Sequence, residues 1–400
     1  MGDNEQKMDT NVNKKTREIP NVPNLRFKEF LGEWVTTTLE SLTKNEKKSF
    51  AGGPFGSDLK AEDYTLDGVP IIQLSNITED YLNFNERLIF TSEKKADSLI
   101  SNNAYPGDLI IAKMMPAGRC CIAQNLYNRY VLGSDAIRVN LDVKKCNKLF
   151  MREQINTQNI RKKITSKTAG STRQRIGIPE LKNLTLFSPS IEEQNKIGAF
   201  LLKLDTRIET QSKIIEKLQS QIIAISNIMV KAISQKISLG EICAFERKTA
   251  HQSSEGLSNG TYPFFTNEEE TVKFFNSYDF NGEYIIANTG GKANFKYYNG
   301  KFATMSDCLI IKIKDASLTK FYSIVFSNLQ KYIDYVGFEG SGLKHLNKDW
   351  LLKLQVPQYG KEAEIFIKMI DNLKEKLQKE KDILSAYKKQ KAYLLSNMFI

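Results

Sequence analysis

The sequence holds only two histidines, His251 and His345, and no cysteine pair spaced Cys-x-x-Cys. Zinc fingers and zinc ribbons need such ligands at short fixed spacings, so both are excluded. The five cysteines, Cys120, Cys121, Cys146, Cys243 and Cys308, read as reduced, small hydrophobes in strands or helices, with Cys308 in the core. No apolar run approaches the roughly 18 residues of a membrane span. No secretory leader pattern opens the chain, and Met1-Gly2 fails the myristoylation pattern because Gln6 stands where Ser or Thr is required. A cytoplasmic protein is expected. Signatures of catalysis are missing too. There is no G-x-x-x-x-G-K-[ST] phosphate loop, and no G-x-G-x-x-G follows a strand pattern. The Asn/Asp-Pro-Pro-Tyr/Phe motif of amino-methyltransferases is also absent. The nuclease-like E-x-K triplets at Glu46-Lys47-Lys48 and Glu93-Lys94-Lys95 read as solvated charge in a Lys-rich chain.

What the chain does have is positive charge, with 57 Lys and Arg against 46 Asp and Glu, a formal net of +11 over 400 residues. A balance this basic favours nucleic acid, acidic membrane surfaces or acidic partners without choosing among them. The length calls for two or three domains.

An internal repeat supplies the organisation. Six short patterns recur in one order in the two halves. Thr38-Leu39-Glu40-Ser41-Leu42 matches Ser238-Leu239-Gly240-Glu241-Ile242, and Gly68-Val69-Pro70-Ile71-Ile72 matches Thr261-Tyr262-Pro263-Phe264-Phe265. Gly107 to Ala112 matches Gly282 to Ala287, and Ser134 to Val139 matches Ser306 to Ile311. Gly170-Ser171 matches Gly340-Ser341, and Leu184-Thr185-Leu186 matches Leu352-Lys353-Leu354. The period of roughly 170 to 200 residues is that of a duplicated domain, since solenoid repeats run 20 to 50 residues. Apolar runs flanked by Gly, Pro and Asn turn signals make each domain mixed α and β.

Each half ends on one long amphipathic segment. The first places Ile197, Leu201, Leu204, Ile208, Gln211, Ile215, Leu218, Ile222, Ile225 and Met229 at alternating spacings of four and three. The second does the same with Phe366, Ile370, Leu373, Leu377, Glu380, Leu384, Tyr387, Lys391, Leu394 and Met398. This is the a/d seam of a coiled coil. Each predicts a helix of about 35 to 40 residues, roughly 50 to 60 Å long. The two most simply pack on each other, and the domain-length connection permits an antiparallel pair. Gln211, Glu380 and Lys391 interrupt the seam, either to fix register or at points open to solvent.

Several of these residues resemble the DNA-specificity subunits of type I restriction-modification systems. Asn24-Leu25-Arg26-Phe27 and Gly32-Glu33-Trp34 look like that family's opening. Gly53-Pro54-Phe55-Gly56-Ser57 and Gly107-Asp108-Leu109-Ile110 look like elements of its first recognition domain. Pro189 with Glu193-Gln194-Asn195-Lys196-Ile197, then Phe200-Leu201 and Leu204-Asp205, looks like the start of its central helix, and Ser396-Asn397-Met398-Phe399 like its ending. The second copy departs, with Glu364 and Ile365 but no Glu-Gln pair. The resemblance runs from Pro20 to the end. It implies an α+β fold, with two duplicated mixed α/β target recognition domains separated by two long antiparallel coiled-coil helices. The expected layout is a disordered tail at 1–20, recognition domains at 21–188 and 237–356, and helices at 189–236 and 357–400. The resemblance further implies a subunit that catalyses nothing and binds no cofactor itself. Its implied partners are double-stranded DNA, two methyltransferase subunits that methylate adenine with S-adenosylmethionine, and restriction subunits that use ATP and Mg. Open alternatives are a DNA-binding scaffold of another kind and a specificity module carrying its own nuclease.

Reading DNA requires side chains on loops that reach the major groove, where Arg suits guanine and Asn or Gln suits adenine. In the first domain the candidates are Lys113, Arg119, Ser171, Thr172, Arg173, Gln174 and Arg175. In the second they are Asn288, Gly291 and Lys292 after a strand, then Ser341, Lys344 and His345 in the loop matching 170–175. His345 reads as a phosphate or polar contact, not a metal ligand. Gly53, Phe55 and Ser57 belong either to a rigid turn that buries Phe55 or to a loop at the DNA face. The aromatic group Tyr262, Phe264, Phe265, Phe274, Phe275 and Tyr278 reads as core.

Overall fold

The computed structural model describes residues 21–44, 48–84, 88–170, 174–268 and 273–400. The expected tail, 1–20, and the triplet residues Glu46 and Lys47 lie outside the described residues. The described residues form two compact units, one from 21–210 with 384–400, the other from 211–383.

In the first unit a four-stranded antiparallel sheet takes the order Phe50–Gly52, Ala136–Val139, Leu109–Ala112, Cys120–Ile122. A five-stranded sheet runs Tyr64–Thr65, Ile89–Thr91, Val69–Ile72, Tyr130–Leu132, Asn103–Ala104, with Val69–Ile72 and Tyr130–Leu132 parallel. Alternation sorts the strand side chains. Leu109 and Ile111 join the core that also holds the helix residues Phe150, Ile155 and Leu201, while Ile110 and Ala112 face a second core with Ile72 and Leu132. The second unit carries one six-stranded sheet: Cys243–Phe245, Cys308–Ile313, Phe280–Asn288, Phe295–Thr304, Tyr262–Phe265, Lys273–Phe275. Its single parallel pair joins Phe264 and Phe265 to Ala303 and Thr304.

Equivalent hydrogen bonds establish the duplication. Leu39 N donates to Leu184 O at 3.0 Å, and Leu239 N to Leu354 O at 3.0 Å. Lys113 N donates to Asp135 O at 2.7 Å, and Thr289 N to Asp307 O at 3.0 Å. These bonds correct two of the sequence matches. Leu184 corresponds to Leu354, two residues beyond Leu352, and Ala112 corresponds to Asn288, one residue beyond Ala287. The apolar runs look alike in either register, but a one-residue slip would send every strand side chain to the opposite face. In the corrected register Leu109 and Ile111 match Ile285 and Ala287, which face the helix-bearing core of their own unit.

The long segments are helices over Ile191–Ala232 and Lys361–Met398, of 42 and 38 residues. In the first unit Leu201, Leu204 and Ile208 share a core with Tyr387, Leu394 and Met398. In the second, Ile222, Ile225 and Met229 share one with Phe366 and Ile370. Numbering rises along one helix as it falls along the other, so the pair is antiparallel. The polar interruptions are paired, not left in solvent. Gln211 Nε2 donates to Glu380 O at 3.0 Å and to the Glu380 carboxylate. Lys391 Nζ lies 2.7 Å from Asp205 Oδ1, 2.6 Å from Asp80 Oδ1 and 3.8 Å from Glu153 Oε2. Gly198 lets the helix Lys148–Asn156 come close, since a Cβ there would lie 2.7 Å from Asn147 Oδ1.

All five cysteines are buried. Four lie in strands, but Cys146 sits in a loop before the helix Lys148–Asn156, outside the helices and strands expected for it. Among the aromatic residues Phe264 and Phe265 are core, and Phe275 stacks on Phe264 at 4.6 Å. The expected core is thus only partly formed: Tyr262, Phe274 and Phe275 are half-buried, and Tyr278 is 45% exposed beside Tyr262.

Candidate nucleic-acid interface

The opening, the central-helix start and the ending that carry the family resemblance form a lock in the first unit rather than an exposed face. Both Arg26 Nε and Arg26 Nη2 donate to the Glu193 carboxylate at 2.7 Å, and Trp34 Nε1 donates to Glu193 Oε1 at 3.3 Å. Gln194 accepts from Asn147 N at 2.9 Å and donates to Pro189 O at 3.0 Å. Trp34, Phe150 and Phe399 pack edge to face or tilted, and Leu25 N donates to Asn397 O at 2.8 Å. The opening, the helix start and the ending thus converge on one buried polar and aromatic cluster. In the second copy the residue after Glu364 is Ile365, which is exposed.

The first unit carries a cleft of about 470 Å³ lined by Pro54, Gly56, Gln73, Leu74, Ser134 and Asp135 among others; among the described residues its lining includes no recognition candidate, though Asp135 in it pairs with Arg175. Gly53 crosses the Gly133 backbone so closely that a Cβ would lie 1.8 Å from Gly133 O. That crossing holds the turn with Phe55 outside, 83% exposed. The reading in which this turn buries Phe55 is therefore wrong. Ser57 is exposed and donates to Asp58 Oδ1 at 3.4 Å. Lys113 follows its strand and is half-buried, with its carbonyl accepting from Ile176 N at 2.9 Å. Arg119 Nη2 turns inward to Leu74 O at 3.3 Å. Arg175 Nε donates to Asp135 Oδ1 at 2.7 Å, and this bond raises the guanidinium's pKa, with the Asp135 charge adding to it. Gln174 is exposed. Ser171, Thr172 and Arg173 lie outside the described residues.

The second unit has a cleft of about 640 Å³, lined by Asn267, Asn288, Gly290, Gly291, Lys292, Asp307, Lys331, Asp334, Leu343 and His345 among others, and Asp307 in it corresponds to Asp135 of the first. Gly291 N donates to Lys344 O at 2.9 Å, and Gly290 bridges to His345, so the two candidate loops meet. Lys292, Ser341, Lys344 and His345 are exposed. Asn288 is not. It is the last residue of its strand, 7% exposed, and its Nδ2 donates to Asn267 O at 3.0 Å. Its counterpart Ala112 is also buried, and the Asn288 amide braces the loop.

Sequence reasoning missed Asp135 and Asp307, although Ser134-Asp135 and Ser306-Asp307 stood in the repeat. It also missed Lys331 and Asp334, which the helix Thr319–Val336 brings to the second cleft. Asp334 accepts from Ala293 N at 2.6 Å.

Comparison with known proteins agrees with this architecture. A crystal structure of the type I restriction-modification S subunit from M. genitalium superposes with a TM-score of 0.59 at 18% identity, over 95% of this chain and 99% of that one. A chain from work on complex assembly and conformational transition of the type I R-M system superposes at 0.52 and 11% identity, over 92% and 97%. At these identities the likeness is one of fold. A Mycoplasma pneumoniae protein named as a type I specificity subunit is 30% identical over 144 residues, which is 34% of this chain and 38% of that protein's length. The family model described as type I restriction modification DNA specificity domain matches twice, over residues 32–220 and 234–388. The chain belongs to the type I restriction modification DNA specificity family.

Proposed function

We propose that this chain is the specificity subunit of a type I restriction-modification complex, each recognition domain reading one half of a bipartite site in double-stranded DNA. One observation carries the reading. Two copies of one hydrogen-bonded frame, strand end to hairpin, carry different side chains at equivalent places: Met114 and Arg175 in one, Gly290 and His345 in the other. A shared scaffold with divergent residues suits two readers of two different half-sites. In this reading the chain catalyses nothing and binds no cofactor. Its long helices dock two methyltransferase subunits, which supply S-adenosylmethionine and methylate adenine, and they set the unread spacer. Restriction subunits using ATP and Mg join through that complex. The work takes place in the cytoplasm, and among the described residues no helix is long and apolar enough to cross a membrane.

The test is methylation mapping of genomic DNA in cells that supply the methyltransferase partner, with and without this chain. A split adenine motif that appears only with the chain is expected. An unchanged methylation pattern despite a confirmed complex would overturn the reading.

A further inference from the structure

We infer that Arg175 reads a guanine in the first half-site through the end of its guanidinium fork, and that Asp135 is the positioning residue that aims it. The inference rests on the DNA-reading function proposed above and names the base and the residue pair.

Position 175 is fixed by its main chain before its side chain does anything. Arg175 N donates to Ala169 O at 2.9 Å, Ala169 N donates to Arg175 O at 3.0 Å, and Met114 bridges to Arg175 from the strand-end loop. The ion pair is therefore not needed to close the hairpin, and with a side chain 35% exposed it contributes little to stability. Its effect is directional. Asp135 takes Nε at 2.7 Å, so the guanidinium plane is held from its side, and among the described residues neither terminal nitrogen is hydrogen-bonded. Two parallel N–H donors in a fixed fork match O6 and N7 of guanine in the major groove. Asp135 lines the cleft together with the backbone of Gly133 and Ser134, against which Gly53 packs, so the aspartate itself stands on a rigid support. A loosely held arginine would serve for phosphate; a braced one suits a base edge.

The other repeat gives an independent view of the same place. His345 bridges to Gly290 as Arg175 bridges to Met114, and Asp307 stands where Asp135 does, both His345 and Asp307 lining the second cleft. The duplicated frame has kept an aspartate beneath a changeable hairpin residue. Histidine cannot offer the parallel fork, so this position selects guanine in one half-site only.

The experiment uses the full chain assembled with its methyltransferase partner. The complex selects duplexes from a randomised library, and the bound pool is sequenced. The wild-type pool is expected to show a split motif with a guanine at one position of the first half. Arg175→Ala and Arg175→Lys should both lose that guanine, by a factor of about 5 to 150, the worth of one bidentate contact. The second half should stay unchanged, which also shows that the variant chain is folded and assembled. Arg175→Lys should recover affinity without recovering the base. Asp135→Asn should weaken discrimination at that same position and no other. A uniform loss of affinity with the guanine intact would make Arg175 a phosphate contact and overturn the inference, as would a first half-site without guanine. A wild-type pool with no motif at all would instead overturn the specificity-subunit reading.

Discussion

At the scale of single residues, two kinds of site have consequences that can be measured. Gly53 has no space for a side chain, whereas Gly56, three residues on in the same turn, meets nothing within 4 Å. Gly53→Ala should therefore destabilise the first unit by about 2 to 3 kcal/mol, the usual cost of forcing extra volume into a packed contact. Gly56→Ala should stay within about 0.5 kcal/mol of the parent. Urea midpoints of the two variants compare them directly, and equal midpoints would mean that the Gly53–Gly133 crossing relaxes freely. The cysteines offer a second reading of the interior. Burial pushes the thiols of Cys121, Cys146 and Cys308 up to about 12 and that of Cys243 to about 11, and it raises Cys120 as well. The reactive species is the thiolate, so a thiol reagent at pH 8 should find none of the five in the folded chain and all five in denaturant. A thiol that reacts at once in the native protein would contradict the packing around it.

At the scale of the element, the helix seam is held by charge as well as by apolar contact. Burial lowers the Lys391 pKa, but Glu153, Asp80 and Asp205 outweigh it, and the ammonium ends above its usual value of 10.5. Its stabilising effect is thus fully present below that pH and is lost as pH rises through the raised value. Burial moves Glu153 the opposite way in effect. Its carboxyl lies above 4.5 despite Arg152 and Lys391, so its favourable contribution is present at low pH and lost as pH rises through the raised value. Lys391→Met leaves the carboxylates short of a counter-charge. It should cost about 3 kcal/mol at pH 8 and less near pH 4.5, where protonation of Glu153, whose carboxyl lies above its usual value, relieves part of the repulsion. Urea titrations at the two pH values check this, and an equal loss at both would remove charge from the explanation. The helices themselves were legible from the four-three spacing, because a seam writes its period directly into the sequence. The registers of the repeat were not, since runs such as Leu109 to Ala112 look alike when shifted by one. The Arg175–Asp135 pair was invisible for a related reason: only the fold brings residues 40 apart in the chain together. The Glu193-Gln194 motif was readable as a marker, but its role as the anchor of Arg26 and Trp34 needed coordinates. One further outcome belongs to the helices. Inserting one heptad into each, matched across the seam, adds about 10 Å of helix and should lengthen the unread spacer by about three base pairs while leaving both half-sites as they were. Methylation mapping of the insertion variant reads spacer and half-sites together, and a changed half-site would argue against separate duties.

At the scale of the whole molecule, duplication explains why such a chain can change its target in parts. Each recognition domain has its own sheets and its own cleft. Arg175 and His345 lie at equivalent places on the duplicated frame, each bridged to the loop after its strand. Replacing residues 237–356 by the corresponding segment of a relative should then change the second half-site alone. The net charge of +11 cannot supply this selectivity, because phosphate contacts carry no sequence. It should appear in another observable. Affinity of the assembled complex for any duplex should fall as salt rises, with log K linear in log salt and a slope of about −0.9 for each phosphate neutralised. The chimera and the parent share residues 1–236, so their salt slopes should differ by no more than the contacts of the exchanged segment, while their motifs differ in one half. Measuring motif and slope on the same pair of complexes separates the two contributions. A chimera that altered both half-sites would show that the domains do not read independently. A motif change with no salt dependence in either complex would show that the basic surface serves protein partners and not DNA.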